Sequence, residues 1–185
     1  MKKRIIIVVI AVLVIIGIVV TAILLSNRHK TSGWNPANPT VSTKDENAIR
    51  GTLTVNREIA SPGDTVDVRI SVNDNPGILG MTLKVDYVTS VLTLMNAENG
   101  EALKNSLTFT KPGNLQNNCK FLWDGMEISD DQIKDGDVLI LTFKVDENAE
   151  PGEYPILLSY SQDDIVDSNL KFIDLDIVDG GVTVE

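Results

Sequence analysis

The chain has 185 residues, 26 of them Asp or Glu and 16 Lys or Arg, and the imbalance deepens after Ala48, where 24 acidic residues stand against 10 basic ones for a net of −14. A surface of that sign repels nucleic acid and anionic headgroups and attracts a basic partner face. With Cys119 the only thiol and His29 the only imidazole, an internal disulfide and a zinc site of Cys and His spacing are excluded, as is the imidazole base on which most serine and cysteine nucleophiles rely.

Lys2, Lys3 and Arg4 precede an apolar run over residues 5–25 that is broken only by Gly17 and Thr21. As a helix this run spans about 31 Å, the thickness of a bilayer's hydrocarbon core. It is longer than a signal-peptide core, and the sequence after Leu25 offers no small-x-small cleavage site, so residues 1–25 are expected to be an uncleaved single-pass anchor. Secretion after cleavage is the alternative. The basic cluster keeps the N-terminus cytoplasmic and places the remainder outside the cell membrane. Residues 26–48 are polar, carry Pro36 and Pro39 and show no periodicity, so they read as an extracellular linker. Trp34, separated from the apolar run by eight residues, reads as an exposed linker aromatic rather than a headgroup anchor.

From residue 49 the pattern alternates in twos. Val66, Val68, Ile70 and Val72 take one face of a strand, and Met81, Leu83, Val85 and Tyr87 the inner face of the next, with Gly80, Thr82, Lys84 and Asp86 outward. Phe121 and Trp123 oppose Lys120, Leu122 and Asp124. Residues 138–145 (VLILTFKV) begin apolar on both faces, as a central covered strand requires. Tyr154, Ile156, Leu158 and Tyr160 alternate again. Ser61-Pro62-Gly63-Asp64, Asn75-Pro76-Gly77, Lys111-Pro112-Gly113-Asn114, Glu150-Pro151-Gly152-Glu153 and Asp179-Gly180-Gly181 punctuate the runs with the residues tight turns need. Only residues 129–134 read as helical, with Ser129 and Gln132 forming a capping box. Eight or nine strands without a long helix give one all-β domain over residues 49–185, an antiparallel sandwich of the jelly-roll or immunoglobulin-like kind. Cys119 is expected to be a small buried residue of one of these strands.

Taken together, PGDTVDVRI (62–70), NPGILGMTLKVDY (75–87), VLTL (91–94), DGDVLILTFKVDENAEPGEYPILLSY (135–160) and DGGVTV (179–184) resemble the cohesin family, the receptor modules of cellulosome scaffolds. The resemblance implies a nine-stranded jelly-roll sandwich and a non-covalent, non-catalytic partner: a dockerin, a small helical module whose duplicated loops hold calcium. By position it implies a docking surface at Gly80, Thr82, Leu122 and Gly125, with Lys84, Asp86, Thr108, Thr110 and Asp124 as neighbours. No cofactor is implied on this side, since the calcium belongs to the dockerin. Best-known members carry an Asn and an Asp where this chain has Gly80 and Thr82, which implies a different partner specificity. With the anchor, the expected role is a cell-surface post that holds a dockerin-bearing enzyme or scaffold.

Three rival readings use the same residues, one of them a structural immunoglobulin-like stalk domain with neither ligand nor a distinctive face. A glycosidase needs two carboxylates about 5–10 Å apart, but Asp130-Asp131 and Asp163-Asp164 lie in turn-like contexts without aromatic platforms, and no enzyme is expected. The four acids Asp130, Asp131, Asp135 and Asp137 fit no calcium-loop spacing and read as a solvated charge run. A carbohydrate-binding sandwich is the alternative function, opposed by an aromatic content of 5% and by the inward parity of Trp123.

Overall fold

A computed structural model of the protein describes residues 49–161 and 163–185. The predicted anchor and linker lie outside the described residues. Among those described, no helix is long and apolar enough to cross a membrane.

The domain contains β1 (Ile49–Val55), β2 (Arg57–Ala60), β3 (Thr65–Asn73), β4 (Gly80–Tyr87), β5 (Leu92–Asn99), a one-turn helix α1 (Glu101–Lys104), β6 (Thr108–Thr110), β7 (Lys120–Asp124), a 3-10 turn (Asp130–Gln132), β8 (Gly136–Val145), β9 (Gly152–Ser159), β10 (Ile165–Val166), β11 (Ile173–Val178) and β12 (Gly180–Val184). One sheet runs β11–β1–β3–β8–β5 and the other β2–β12–β9–β4–β7–β6, with β10 alongside β4. The described strands number twelve rather than the expected eight or nine because three long runs are interrupted. Asn56 divides β1 from β2 and Asp179 divides β11 from β12, each pair passing from one sheet to the other, and β10 resumes on β4 after β9 leaves it.

Two pairings correct the antiparallel expectation: β1 lies parallel to β11, and β2 parallel to β12. The alternation of apolar residues fixes which face is buried and carries no information on the direction of the neighbouring strand. Both runs change sheets at the same corner, where the Asn56 carbonyl accepts the Gly181 amide at 3.0 Å. A Cβ on Gly180 would sit 2.1 Å from the Val55 carbonyl oxygen, and one on Gly181, whose φ is 151°, would sit 2.3 Å from that of Tyr154. The glycine pair is thus what lets the two ribbons close together.

The core fills the space between the sheets with the inward residues expected. Val68, Ile70, Leu83, Val85, Phe121, Leu141 and Phe143 are fully buried, and Tyr87 meets the Phe143 ring edge-on at 5.0 Å. The double-sided start of β8 has a specific cause. Leu139 pairs with Ile70 and Asp137 with Ser71, which leaves Val138 as the extra residue of a bulge. Both Val138 and Leu139 are buried, and α1, through Ala102 and Leu103, packs on this strand. Nothing in the residue pattern announces α1, which is too short to show a period. The predicted turn at Ser129 forms as a 3-10 turn, with the Ser129 amide donating to Gln132 Oε1 at 3.0 Å.

Candidate functional site

The sequence GMTLKVDY makes β4 a central strand, flanked by β7 on one side and by β9 and then β10 on the other. Met81, Leu83, Val85 and Tyr87 are buried. The intervening residues face outward, and strand register determines what stands beside them. In one row across the sheet, Thr82 lies opposite Leu122 and Leu122 opposite Thr110. In the row on one side, Gly80 faces Asp124 and Asp124 faces Thr108. On the other side Lys84 lies between Lys120 and Ser159, and Asp86 follows opposite Leu157. Eight of the nine residues expected from the resemblance are thereby gathered on one outer sheet face, including Thr108 and Thr110 of the short edge strand; Gly125 lies outside the pairing.

Within this face Leu122 is 42% exposed between two hydroxyl-bearing neighbours. Directly beneath, Trp123 is fully buried and its indole Nε1 donates to Asn99 Oδ1 at 2.8 Å. That indole is committed to the core and leaves no tryptophan platform on β7 for a sugar ring. Gly125 lies just past β7 and serves packing: a Cβ there would stand 2.6 Å from Leu107 Cδ2. It borders an open cleft of about 410 Å³ lined by Lys104, Ser106, Thr108, Asp124 and Met126.

Several residues of the face escaped the sequence reading. Val166 of β10 pairs with Gly80 and makes an antiparallel bridge to Phe172. Directly opposed residues in antiparallel strands share a face, so Phe172, Val166, Gly80, Asp124 and Thr108 form one continuous outward row. Phe172 is 49% exposed, and Leu157 on β9 is also exposed. Leu157 was readable as the outward residue between the inward Ile156 and Leu158. The two-residue β10 was not, because two residues carry no period.

The remaining candidates serve local structure. Asp131 accepts the Ser129 hydroxyl at 2.6 Å, and that bond lowers its pKa. Asp135 accepts the Asn75 amide at 2.8 Å. Burial pushes the Asp137 carboxyl upward, but hydrogen bonds from Ser71 and Arg69 outweigh this and hold it below its ordinary value. Among the described residues no three His, Cys, Asp or Glu side chains are grouped to hold a metal ion. Cys119 is buried, immediately before β7 rather than within it, and burial raises the pKa of its thiol.

Comparison with known proteins gives a consistent result. The Cohesin domain family model matches residues 37–184. A type I cohesin solved in a cohesin-dockerin complex from Clostridium thermocellum is 18% identical with a TM-score of 0.60, covering 74% of this chain and 99% of that one. The seventh ScaB type I cohesin from Pseudobacteroides cellulosolvens is 20% identical with a TM-score of 0.60, covering 73% and 92%. A non-cellulosomal cohesin from the archaeon Archaeoglobus fulgidus is 15% identical with a TM-score of 0.57, covering 74% and 91%. No curated protein sequence matches. The family model takes in most of the chain, residues 37–184, and the described sandwich has the fold of these solved structures: the chain belongs to the cohesin family.

Proposed function

We propose that the outer face of β4, β7 and β6 receives a calcium-loaded dockerin module non-covalently, and that the chain works as a binding post rather than as an enzyme. The observation that carries this reading is the Thr82–Leu122–Thr110 row. It sets one half-exposed apolar side chain at the middle of a sheet surface, ringed by groups able to form hydrogen bonds, which is the arrangement of an interface anchor and its rim. Solved relatives in complex with dockerins support it. The surface is built on paired strands and needs no rearrangement to dock, so the encounter is one between preformed faces, burying about 800 Å² per partner at standard size. The nine residues of this reading are Gly80, Thr82, Lys84, Asp86, Thr108, Thr110, Leu122, Asp124 and Gly125; Gly125 contributes by shaping the end of β7. Calcium sits in the partner's loops.

Residues 1–25 hold the sandwich at the cell membrane through the linker of residues 26–48, with the domain outside. The 21-residue apolar run behind a Lys2-Lys3-Arg4 cluster, broken only by Gly17 and Thr21, supports this. The partner is an enzyme or scaffold bearing the dockerin. Calorimetry of the full-length chain with calcium-loaded dockerins, repeated with chelator, tests the docking: saturable binding abolished by chelator is expected. Cell fractionation tests the anchor. Recovery in the membrane pellet is expected, and a mature protein free in the medium and beginning near Ser26 contradicts it.

A further inference from the structure

Two features beside the Thr82–Leu122–Thr110 row are not explained by packing of the core. The first is the hairpin that joins β10 to β11. Its turn is clamped by Asp167, a nearly buried residue whose carboxylate accepts the amides of Asn169 and Lys171, both at 2.8 Å, while its carbonyl accepts the Leu170 amide at 3.0 Å. Within this clamp Leu170 is held at φ 57° with its side chain 72% exposed. A bulky residue in the left-handed region is a genuine outlier. Glycine would take the same backbone without strain, and an exposed leucine returns little burial to offset it. Backbone strain maintained at an exposed apolar side chain points toward function. Two residues later Phe172 joins the Val166–Gly80 row. The absence of a side chain at Gly80, where a Cβ would press to 3.3 Å from Val166 Cγ2, leaves this end of the face low and apolar.

The second feature is the direct opposition of Lys84 and Lys120 across β4 and β7. Like charges in that position repel each other. Among the described residues the ion pairs are Arg57–Glu153, Arg69–Asp137 and Lys104–Glu101, so neither lysine is paired. Asp86 and Asp124 share the face without bonding either of them. In a domain whose net charge is −14, two directly opposed lysines, neither of them in an ion pair among the described residues, are a local departure in sign beside the Leu122 row.

We infer that these two features define the partner's complementary surface: a helical module that seats an apolar side chain against Phe172 and Leu170 and presents a carboxylate to Lys84 and Lys120. The lysine row stands four residues along β4 from Gly80, about 13 Å, so the two contacts lie within one helix's reach. The inference rests on the docking reading. It also reverses the simplest expectation from net charge, since the decisive ionic group on the partner is acidic.

The test is calorimetry of the full-length chain with recombinant calcium-loaded dockerins encoded in the same genome, alongside thermal melts. Leu170→Gly is expected to keep or raise the melting temperature while weakening dockerin binding at least 10-fold, and Phe172→Ser to weaken it similarly. Lys84→Glu combined with Lys120→Glu is expected to weaken binding at least 10-fold. A Glu→Lys or Asp→Lys substitution on the dockerin should restore it. If the wild-type chain binds a dockerin and these variants bind equally well, the inference is overturned and the docking reading stands. Loss of binding by Leu170→Gly together with a lowered melting temperature also overturns it, because the leucine's role is then structural. If the wild-type chain binds none of the dockerins, the docking reading fails first.

Discussion

The Tyr160 hydroxyl accepts the amide of Leu175 at 2.7 Å and donates to the carbonyl of the same residue at 2.6 Å. Tyr160 follows β9 in one sheet and Leu175 lies in β11 of the other, so a single phenol satisfies both backbone groups of an edge-strand residue and ties the two layers together. Burial pushes the pKa of this phenol up to about 12. Tyr160→Phe leaves both groups of Leu175 without that partner. A loss of about 1–3 kcal/mol is expected, read as a melting temperature several degrees lower, while a dockerin's affinity at saturating folded protein is unchanged.

The corner where the first and last runs change sheets makes a harsher prediction. Gly180→Ala forces a Cβ to 2.1 Å from the Val55 carbonyl oxygen. That contact is with backbone and cannot be relieved by a rotamer change, so β1 and β12 must separate. A loss of more than about 3 kcal/mol is expected. Gly113→Ala, whose Cβ would meet nothing within 4 Å, is the matched control and should melt within a degree or two of wild type.

Acid sensitivity should be concentrated at the hairpin. Burial alone would raise the Asp167 carboxyl, but the amides of Lys171 and Asn169 outweigh it and hold the group below its ordinary value. A carboxyl depressed on folding stabilises the native state fully above its unfolded pKa, near 4, and that contribution drains away as pH falls through the lower folded value. The protection factors of amides 167–172, measured against their intrinsic exchange rates, are expected to fall below about pH 4. Asp167→Asn should already exchange fast at neutral pH and change less with acid; Asp131 and Asp137, also depressed, leave a residual acid dependence elsewhere.

Cys119 should behave as core. Its burial and raised thiol pKa predict almost no reaction with a thiol reagent at pH 7.5 in the native protein and one full equivalent in denaturant. Rapid labelling of the folded chain contradicts this.

What the sequence reveals and what it conceals divide along a physical line. Inward and outward sets are set by a period of two, so Met81, Leu83, Phe121 and Trp123 could be assigned to the core and Thr82, Leu122 and Asp124 to the opposite face. Turn residues announced themselves, as at Gly63 and Gly77, whose φ values of 83° and 89° only glycine adopts freely. Pairing partners are another matter. Which strand lies beside which depends on long-range closure, so the parallel neighbours β1–β11 and β2–β12 had no local signature. The same is true of Val166 and Phe172, whose place on this outer sheet face follows from a two-residue strand and one bridge. The bulge at Val138 showed only as an apolar run without alternation. Predicted residues of the face were found together because they share strands with a strong pattern; the apolar end was missed because it is contributed by a hairpin.

The most direct test of the central claim is calorimetric titration of the full-length chain, wild type and a Leu122→Glu, Thr82→Lys double variant, with calcium-loaded dockerins from the same genome. Both substitutions are on the solvent face and should leave the melting temperature within a few degrees. The account predicts saturable binding by wild type and at least a 10-fold loss, about 1.4 kcal/mol or more, in the double variant. Equal binding by the two proteins, or no dockerin bound by either, contradicts it.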